Sequence, residues 1–144
     1  MPFDPTNPVI QLCAKGMELE AQSPDQAKSL FWQAWKLAAT DVEKFTAAHY
    51  VARHQDSATQ KLDWDLKALQ LALQIQDSSL ISSYPSLYLN VAKGYEELAD
   101  LDQAKHYYQL ALSFVDQLDA EGYGTMIKQG IENGLKRLLS RLET

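Results

Sequence analysis

Two stretches of this chain repeat one another, and this repetition restricts the possible folds more than any other feature of the sequence. Ala-Lys-Gly at 14–16 returns at 92–94, which is 78 positions later. Asp-Gln-Ala-Lys at 25–28 returns at 102–105, which is 77 positions later. A weaker third unit at 45–72 fits between them. Self-similarity at a fixed period is typical of arrays in which short units stack on their neighbours.

The pattern of apolar residues predicts helices throughout the chain. Apolar residues recur every three or four positions, and the few Gly and Pro residues stand mainly between these periodic stretches. Helix starts are marked by Pro24 after Ser23 and by capping boxes at 40–43 and 57–60. These signals predict an all-α chain without strands, with helices at 8–21, 24–38, 41–55, 58–76, 84–98, 101–117 and 122–142.

The repeated units resemble the tetratricopeptide repeat (TPR), a helix hairpin with aromatic and small residues at fixed positions. The third unit fits this motif without a gap through Tyr88, Val91, Ala92, Tyr95, Ala99, Leu101, Ala104, Tyr108 and Ala111. The first unit fits through Ile10, Cys13, Ala14, Met17, Ala21, Ala27, Phe31 and Ala34. The second unit keeps Phe45, Ala48, Ala52 and Ala68 but departs at Lys61 and Asp65, so we expect Trp64 and three leucines to pack its second helix.

This resemblance implies one TPR domain over 1–144, a right-handed superhelical α-solenoid. Its three helix hairpins would lie at 8–38, 41–76 and 84–117, closed by a capping helix at 122–142. We expect the apolar side of that helix to cover the third hairpin, and its solvated side to carry Lys128, Lys136, Arg137 and Arg141. The chain is also similar to a group of short, uncharacterised bacterial TPR proteins, through segments at 48–55, 62–66, 84–88 and 123–126. That group implies no biochemical activity.

Composition restricts the classes of function. With 46% hydrophobic and 22% charged residues, the 144-residue chain can bury one core. No apolar run approaches a membrane span, and the first residues do not resemble a signal peptide, so we expect a cytoplasmic protein without a membrane partner. Cys13 is the only cysteine, which excludes an internal disulfide and a thiolate metal cluster. A net charge of −6 disfavours nucleic-acid binding.

The TPR resemblance also implies a concave groove lined by the first helix of each hairpin. At the groove positions the sequence has six polar side chains that could bind a ligand: Lys15, Tyr50, Arg53, His54, Asn90 and Lys93. Arg and Lys donate charge-assisted hydrogen bonds to carboxylates, so we expect an acidic or carboxylate-bearing protein or peptide as the partner. A solvated helix face is the alternative. The chaperone-type carboxylate clamp is not matched, because Gln11, Ala47 and Ser86 stand at three of its five positions.

Catalysis, a metal and a cofactor are not expected. His49 and His54 are five residues apart and do not share a helix face, and the glycines lack the spacing of a nucleotide loop. His49 is expected to be a packed, hydrogen-bonded core histidine. Two alternatives remain open: a small hydrolase or transferase using Tyr50 and His54 with Asp56, and a structural subunit that forms a homodimer through an aromatic convex face containing Trp32, Trp35 and Trp64.

Overall fold

The computed structural model describes residues 3–118 and 121–142. In these two ranges the chain forms seven α-helices and no strand, as the sequence predicts. Short 3-10 turns lie at Ala52–His54, Ser78–Ser83 and Val115–Gln117. No helix of the described ranges is long and apolar enough to cross a bilayer. The helices are α1 (Pro8–Leu19), α2 (Pro24–Leu37), α3 (Asp41–Val51), α4 (Ala58–Gln74), α5 (Tyr84–Glu97), α6 (Leu101–Ser113) and α7 (Tyr123–Leu142).

The predicted caps fix where the helices begin. Pro24 is the first residue of α2. At the start of α3 the hydroxyl of Thr40 accepts the backbone N–H of Glu43, whose carboxylate in turn accepts the N–H of Thr40. At the start of α4 the hydroxyl of Ser57 accepts the N–H of Gln60. The Thr40 and Ser57 caps each satisfy a backbone donor that the first helical turn leaves unpaired, and Pro24 has no such donor, which is why these starts can be predicted from sequence.

The chain divides into two compact units, residues 1–79 and 80–144, and each is described separately. In the first unit, α1 and α2 form a hairpin, α3 packs on both of them, and α4 packs on α3. The inner side of α2 carries Ala27, Phe31 and Ala34, all inaccessible to solvent. Gly16 on α1 lies so close to Phe31 that a β-carbon there would overlap the ring. Small residues therefore allow α1 and α2 to approach closely.

Three tryptophans join α4 to α2 in the first unit. Trp64 of α4 meets Trp32 and Trp35 of α2 edge-on, with ring centroids 5.4 and 5.0 Å apart. The ammonium of Lys67 lies 4.3 Å from the Trp64 ring centroid. Because all three rings are half-buried in these contacts, they act mainly in packing.

In the second unit, α5 and α6 form a hairpin and α7 packs on both of them. The inner side of α6 repeats the pattern of α2, with Ala104, Tyr108 and Ala111 inaccessible to solvent. Gly134 of α7 lies against the Tyr108 ring, again closer than a β-carbon would permit. The buried side chains that α7 contributes to this core are Ile127, Ile131 and Leu138.

Two motif assignments are only partly confirmed in the first unit. Cys13 is buried as predicted, and this burial raises the pKa of its thiol to about 12. Ala14, assigned to the small position of the motif, is exposed instead. Gly16 makes the close helix–helix approach in its place, because its backbone faces the Phe31 ring.

Candidate functional site

The six predicted groove residues belong to both units. Lys15, Tyr50, Arg53 and His54 lie in the first, and Asn90 and Lys93 in the second. Each set is described within its own unit. That all six side chains line one groove remains a prediction.

In the first unit, Glu20 binds two of the predicted ligand-binding residues. Arg53 Nη2 forms an ion pair with one carboxylate oxygen at 3.1 Å, and His54 Nε2 lies 2.8 Å from the other. The Glu20 side chain is only 18% exposed, so water screens these contacts weakly. The charge of Arg53, a predicted anion-binding residue, is therefore already compensated within the protein.

Tyr50 lies in a packed aromatic cluster between α2 and α3. Its ring stacks on Phe31 with centroids 5.2 Å apart, and His54 lies 5.5 Å from the same Phe31 ring. The Arg53 guanidinium carbon is 5.7 Å from the centre of the Tyr50 ring. Lys15 is exposed on α1. The Tyr50, Arg53 and His54 part of the predicted site is thus organised mainly by contacts inside the first unit.

The predicted hydrolase constellation is not assembled. Asp56 is exposed and lies 4.0 Å from Lys28, whereas His54 takes its carboxylate from Glu20. Across the described ranges, no group of three His, Cys, Asp or Glu residues could hold a metal ion. A carboxylate–histidine pair can orient a general base, and in this structure Glu20, not Asp56, forms that pair with His54.

His49 is packed as predicted, but the expectation that its ring is fully hydrogen-bonded is wrong. The ring lies 5.2 Å from Tyr50 and 6.4 Å from Phe45. Among the described residues, its Nδ1 is the buried side-chain nitrogen without a hydrogen-bond partner. Burial, with smaller effects from Arg53 and Lys61, lowers the pKa of His49 to about 4.

This shift predicts a loss of stability in mild acid. The folded protein binds a proton at His49 less readily than the unfolded chain does. The stability that neutral His49 gives the folded state is therefore complete above pH 6.5 and is lost as the pH falls towards about 4. We expect the free energy of unfolding to fall by about 3 kcal/mol across this range. Urea titrations followed by tryptophan fluorescence would measure it, because all three tryptophans lie in the first unit. His49→Phe should reduce the dependence of the free energy of unfolding on pH. His106→Phe, at an exposed position, should leave that dependence unchanged. If the free energy of unfolding of His49→Phe depended on pH as strongly as that of the wild type, groups other than His49 would cause the acid sensitivity.

The second unit contains a charged depression of about 450 Å³ where α5 faces α7. We call it the α5–α7 depression. Five charged side chains line it, three basic and two acidic: Lys93, Glu96, Glu97, Arg137 and Arg141. Of the predicted groove residues, Lys93 is in this lining, and Asn90 is half-buried one turn earlier on α5.

Glu96 organises one wall of the depression. The Arg137 Nε and Nη2 donate to its two carboxylate oxygens at 3.0 and 3.1 Å, and the Tyr108 hydroxyl donates to it at 2.6 Å. These bonds lower the pKa of Glu96, with Arg137 the largest cause, and raise the pKa of Arg137. Burial and then the Glu96 bond raise the pKa of the Tyr108 hydroxyl. Glu96 is therefore ionised and compensated, and Arg137 is held in one orientation.

Arg137 and Arg141 are the site residues that sequence reasoning missed. Both are exposed, as the prediction of a solvated side requires, and the structure also places them beside Lys93 of α5. They share one side of α7 because they are four residues apart. The first unit contains a similar pair, in which Glu20 contacts Arg53 as Glu96 contacts Arg137.

The comparisons with known proteins identify no family for this chain. No protein-family model, curated protein or solved structure gave a significant match to the chain.

Proposed function

We propose that this chain is a non-catalytic interaction module of the tetratricopeptide type, a superhelical stack of three hairpins and a capping helix. Its proposed partner is an acidic or carboxylate-bearing segment of a peptide or protein. The packing within each unit supports the repeat. In both units a helix hairpin is followed by a helix that packs on its two members. In both, the second helix of the hairpin buries an alanine, an aromatic residue and another alanine.

The observation that carries the binding proposal is the α5–α7 depression. Its lining is entirely charged, and basic groups outnumber acidic ones by three to two. Pockets for apolar small molecules are lined mainly by hydrophobic side chains, so this one suits a charged group. Glu96 is satisfied by Arg137 and Tyr108, and Lys93 and Arg141 add two further positive charges to the same lining, where they would attract an incoming carboxylate. The concave shape strengthens their field relative to a flat surface.

The acidic residues of the depression favour a weakly charged ligand over a polyanion. Glu97 lies in the same lining and reduces the formal charge of the five side chains to one positive unit. The rest of the chain is acidic, with a net charge of −6. One carboxylate can match this local charge, whereas a nucleic acid would meet repulsion along most of its length.

The binding proposal predicts a specific loss of affinity. A fluorescent peptide library with free acidic side chains and C-terminal carboxylates, and a library with amide replacements, should be titrated by anisotropy. We expect Lys93→Ala/Arg141→Ala to weaken binding of the acidic library at least tenfold, since charge-assisted bonds contribute about 1.5–3 kcal/mol each. Binding should weaken as salt rises above about 0.15 M, where the screening length is roughly 8 Å.

Two controls make this test selective. Lys105→Ala removes an exposed lysine from α6 outside the depression and should leave affinity unchanged. Arg53→Ala should have a smaller effect than the double substitution, because Arg53 is already paired with Glu20. Equal binding of both libraries by the wild type and the double variant, at any salt concentration, would reject the depression as the binding site.

A further inference from the structure

Besides their role in packing, two tryptophan rings of the first unit form a corner that holds a positively charged side chain. The ring planes of Trp35 on α2 and Trp64 on α4 meet at 90°, with their centroids 5.0 Å apart. The ammonium of Lys67 lies 4.3 Å from the centroid of Trp64 and 5.3 Å from that of Trp35. Both distances are within the range of about 6 Å over which an aromatic face attracts a cation. We call the space between these two rings the tryptophan corner.

The Lys67 ammonium lies in this corner although a carboxylate is within reach along the same helix. Asp63 stands four residues before Lys67 on α4, the spacing and order in which an acidic and a basic side chain pair most readily on a helix surface. Lys61 and Asp65 form such a pair on the same helix, at 2.6 Å. Within the described ranges, Lys67 forms none with Asp63, and its ammonium lies on the rings instead. The tryptophan corner thus holds a cation in preference to an exposed carboxylate.

The rings of the corner are fixed by packing and not by Lys67. Trp64 also meets Trp32 edge-on, with centroids 5.4 Å apart. Trp32, Trp35 and Trp64 all pack against the buried cluster that includes Phe31. Lys67, by contrast, is exposed, and its side chain is long and flexible. The rings can therefore keep their positions when the Lys67 side chain moves away.

A methylated ammonium suits such a corner better than the ammonium of a lysine does. A primary ammonium has three N–H donors and is strongly hydrated, so contact with a ring removes hydrogen-bonded water from it. A trimethylammonium group keeps the positive charge but has no N–H donor, and its methyl groups can contact the ring faces directly. Half-buried tryptophan rings provide both the negative face of the π-system and the apolar area for these contacts.

We propose that the tryptophan corner is a binding site for a trimethylammonium group, with Lys67 as its exchangeable internal occupant. The ligand displaces the Lys67 ammonium, which can then pair with Asp63 one turn earlier on α4. Because Lys67 competes for the same place, it lowers the apparent affinity of the site. The net charge of −6 favours cationic ligands. The corner lies in the first unit and takes a cation, so this proposal does not depend on the ligand proposed for the α5–α7 depression.

Choline tests the site directly, because its three methyl groups give one NMR signal that can be followed by line broadening and saturation transfer. With the full chain we expect a dissociation constant of about 1–10 mM, since the cation–π contacts are few and individually weak. 3,3-Dimethyl-1-butanol has the same shape without the charge and should not bind. Trp64→Phe should weaken choline binding about threefold and Trp64→Leu at least tenfold, because tryptophan attracts cations best and leucine has no π-system. Circular dichroism should show unchanged helicity in both variants.

Substitutions of Lys67 test its role as the internal occupant without altering the rings. Lys67→Ala removes the competing ammonium and should tighten choline binding about tenfold. Lys67→Arg keeps a cation that stacks on aromatic faces and should bind choline no more tightly than the wild type does. Lys36→Ala is the matched control, because it removes the same charge from an exposed lysine next to Trp35 in sequence. It should leave the dissociation constant within about twofold of the wild-type value, which separates displacement from a general change in charge.

Two peptides that differ only in one side chain, trimethyllysine or unmodified lysine, identify the source of the group. If the trimethyllysine peptide binds more tightly than choline, the ligand is a methylated protein, and if choline binds more tightly, the ligand is a small molecule. Either result supports the site, provided that the unmodified peptide binds more weakly than both. Equal signals from choline and 3,3-dimethyl-1-butanol would overturn the proposal, as would equal choline affinities of Lys67→Ala and Lys36→Ala.

Discussion

A chain that ends after Leu118 should lose cooperative unfolding in its second unit. α7 supplies Ile127, Ile131 and Leu138 to the core, with 7%, 0% and 1% of their surfaces exposed. Burial of each such side chain contributes roughly 1.5–3 kcal/mol, so their combined loss approaches the whole stability of a small domain. Truncation would also expose the Tyr108 ring, which Gly134 of α7 covers in the full chain.

The two units allow this loss to be located. Trp32, Trp35 and Trp64 all lie in the first unit, so tryptophan fluorescence reports on that unit alone. Amide hydrogen exchange in α5 and α6 reports on the second unit. We expect exchange in α5 and α6 to accelerate at least 100-fold and the dye 8-anilinonaphthalene-1-sulfonate to bind the exposed apolar surface. Equal protection in the truncated and full chains would show that α7 is an independent appendage.

A milder substitution controls for nonspecific effects of truncation. Ile131→Ala leaves the chain length unchanged and removes one fully buried side chain. It should lower the free energy of unfolding by about 2–5 kcal/mol. Protection in α5 and α6 should then fall in proportion, while the fluorescence transition of the first unit serves as an internal reference.

The sequence predicted the helices well because their signals are local. Thr40, Ser57 and Pro24 act on backbone groups within one turn, and the structure places each at a helix start. The motif residues Ala104 and Ala111 are both inaccessible to solvent, because their spacing places them on the same side of α6.

The candidate site was harder to predict because its contacts are distant in sequence. Arg137 and Glu96 are 41 residues apart, and His54 and Glu20 are 34 residues apart. Helical periodicity shows that Arg137 lies on a polar side of α7, but not which neighbouring helix that side faces. The same limit applies to the prediction for Arg53. The sequence alone does not show that its guanidinium is paired with Glu20.

The residue of α1 that contacts α2 most closely could not be predicted from the sequence, for a different reason. Ala14 and Gly16 are both small, and the motif alone favoured Ala14. Only the position of the Phe31 ring shows that Gly16 makes the contact. The repeat motif predicts that a small residue lies at the contact between the two helices. The backbone geometry shows that this residue is Gly16 and not Ala14.

Two glycines on α7 provide the sharpest test of this packing. Gly134→Ala should lower the free energy of unfolding by about 2–3 kcal/mol, because its β-carbon would overlap the Tyr108 ring. The ring cannot easily move, since it is fully buried and its hydroxyl bonds to Glu96 and Arg137. This cost should exceed the gain of up to about 1 kcal/mol that alanine gives over glycine within a helix.

Gly130→Ala is the matched control on the same helix. Its β-carbon would lie 3.2 Å from a terminal methyl of Leu89, a flexible side chain that can shift by a few tenths of an ångström. We therefore expect Gly130→Ala to leave stability unchanged or to raise it by up to about 1 kcal/mol. Urea unfolding followed by circular dichroism measures both variants. Combining Gly134→Ala with Tyr108→Leu should cost less than the sum of the two single substitutions, because the smaller side chain removes the overlap. If Gly134→Ala were as stable as Gly130→Ala, the Tyr108 ring could not occupy the space beside α7, and the close packing of α6 on α7 would be wrong.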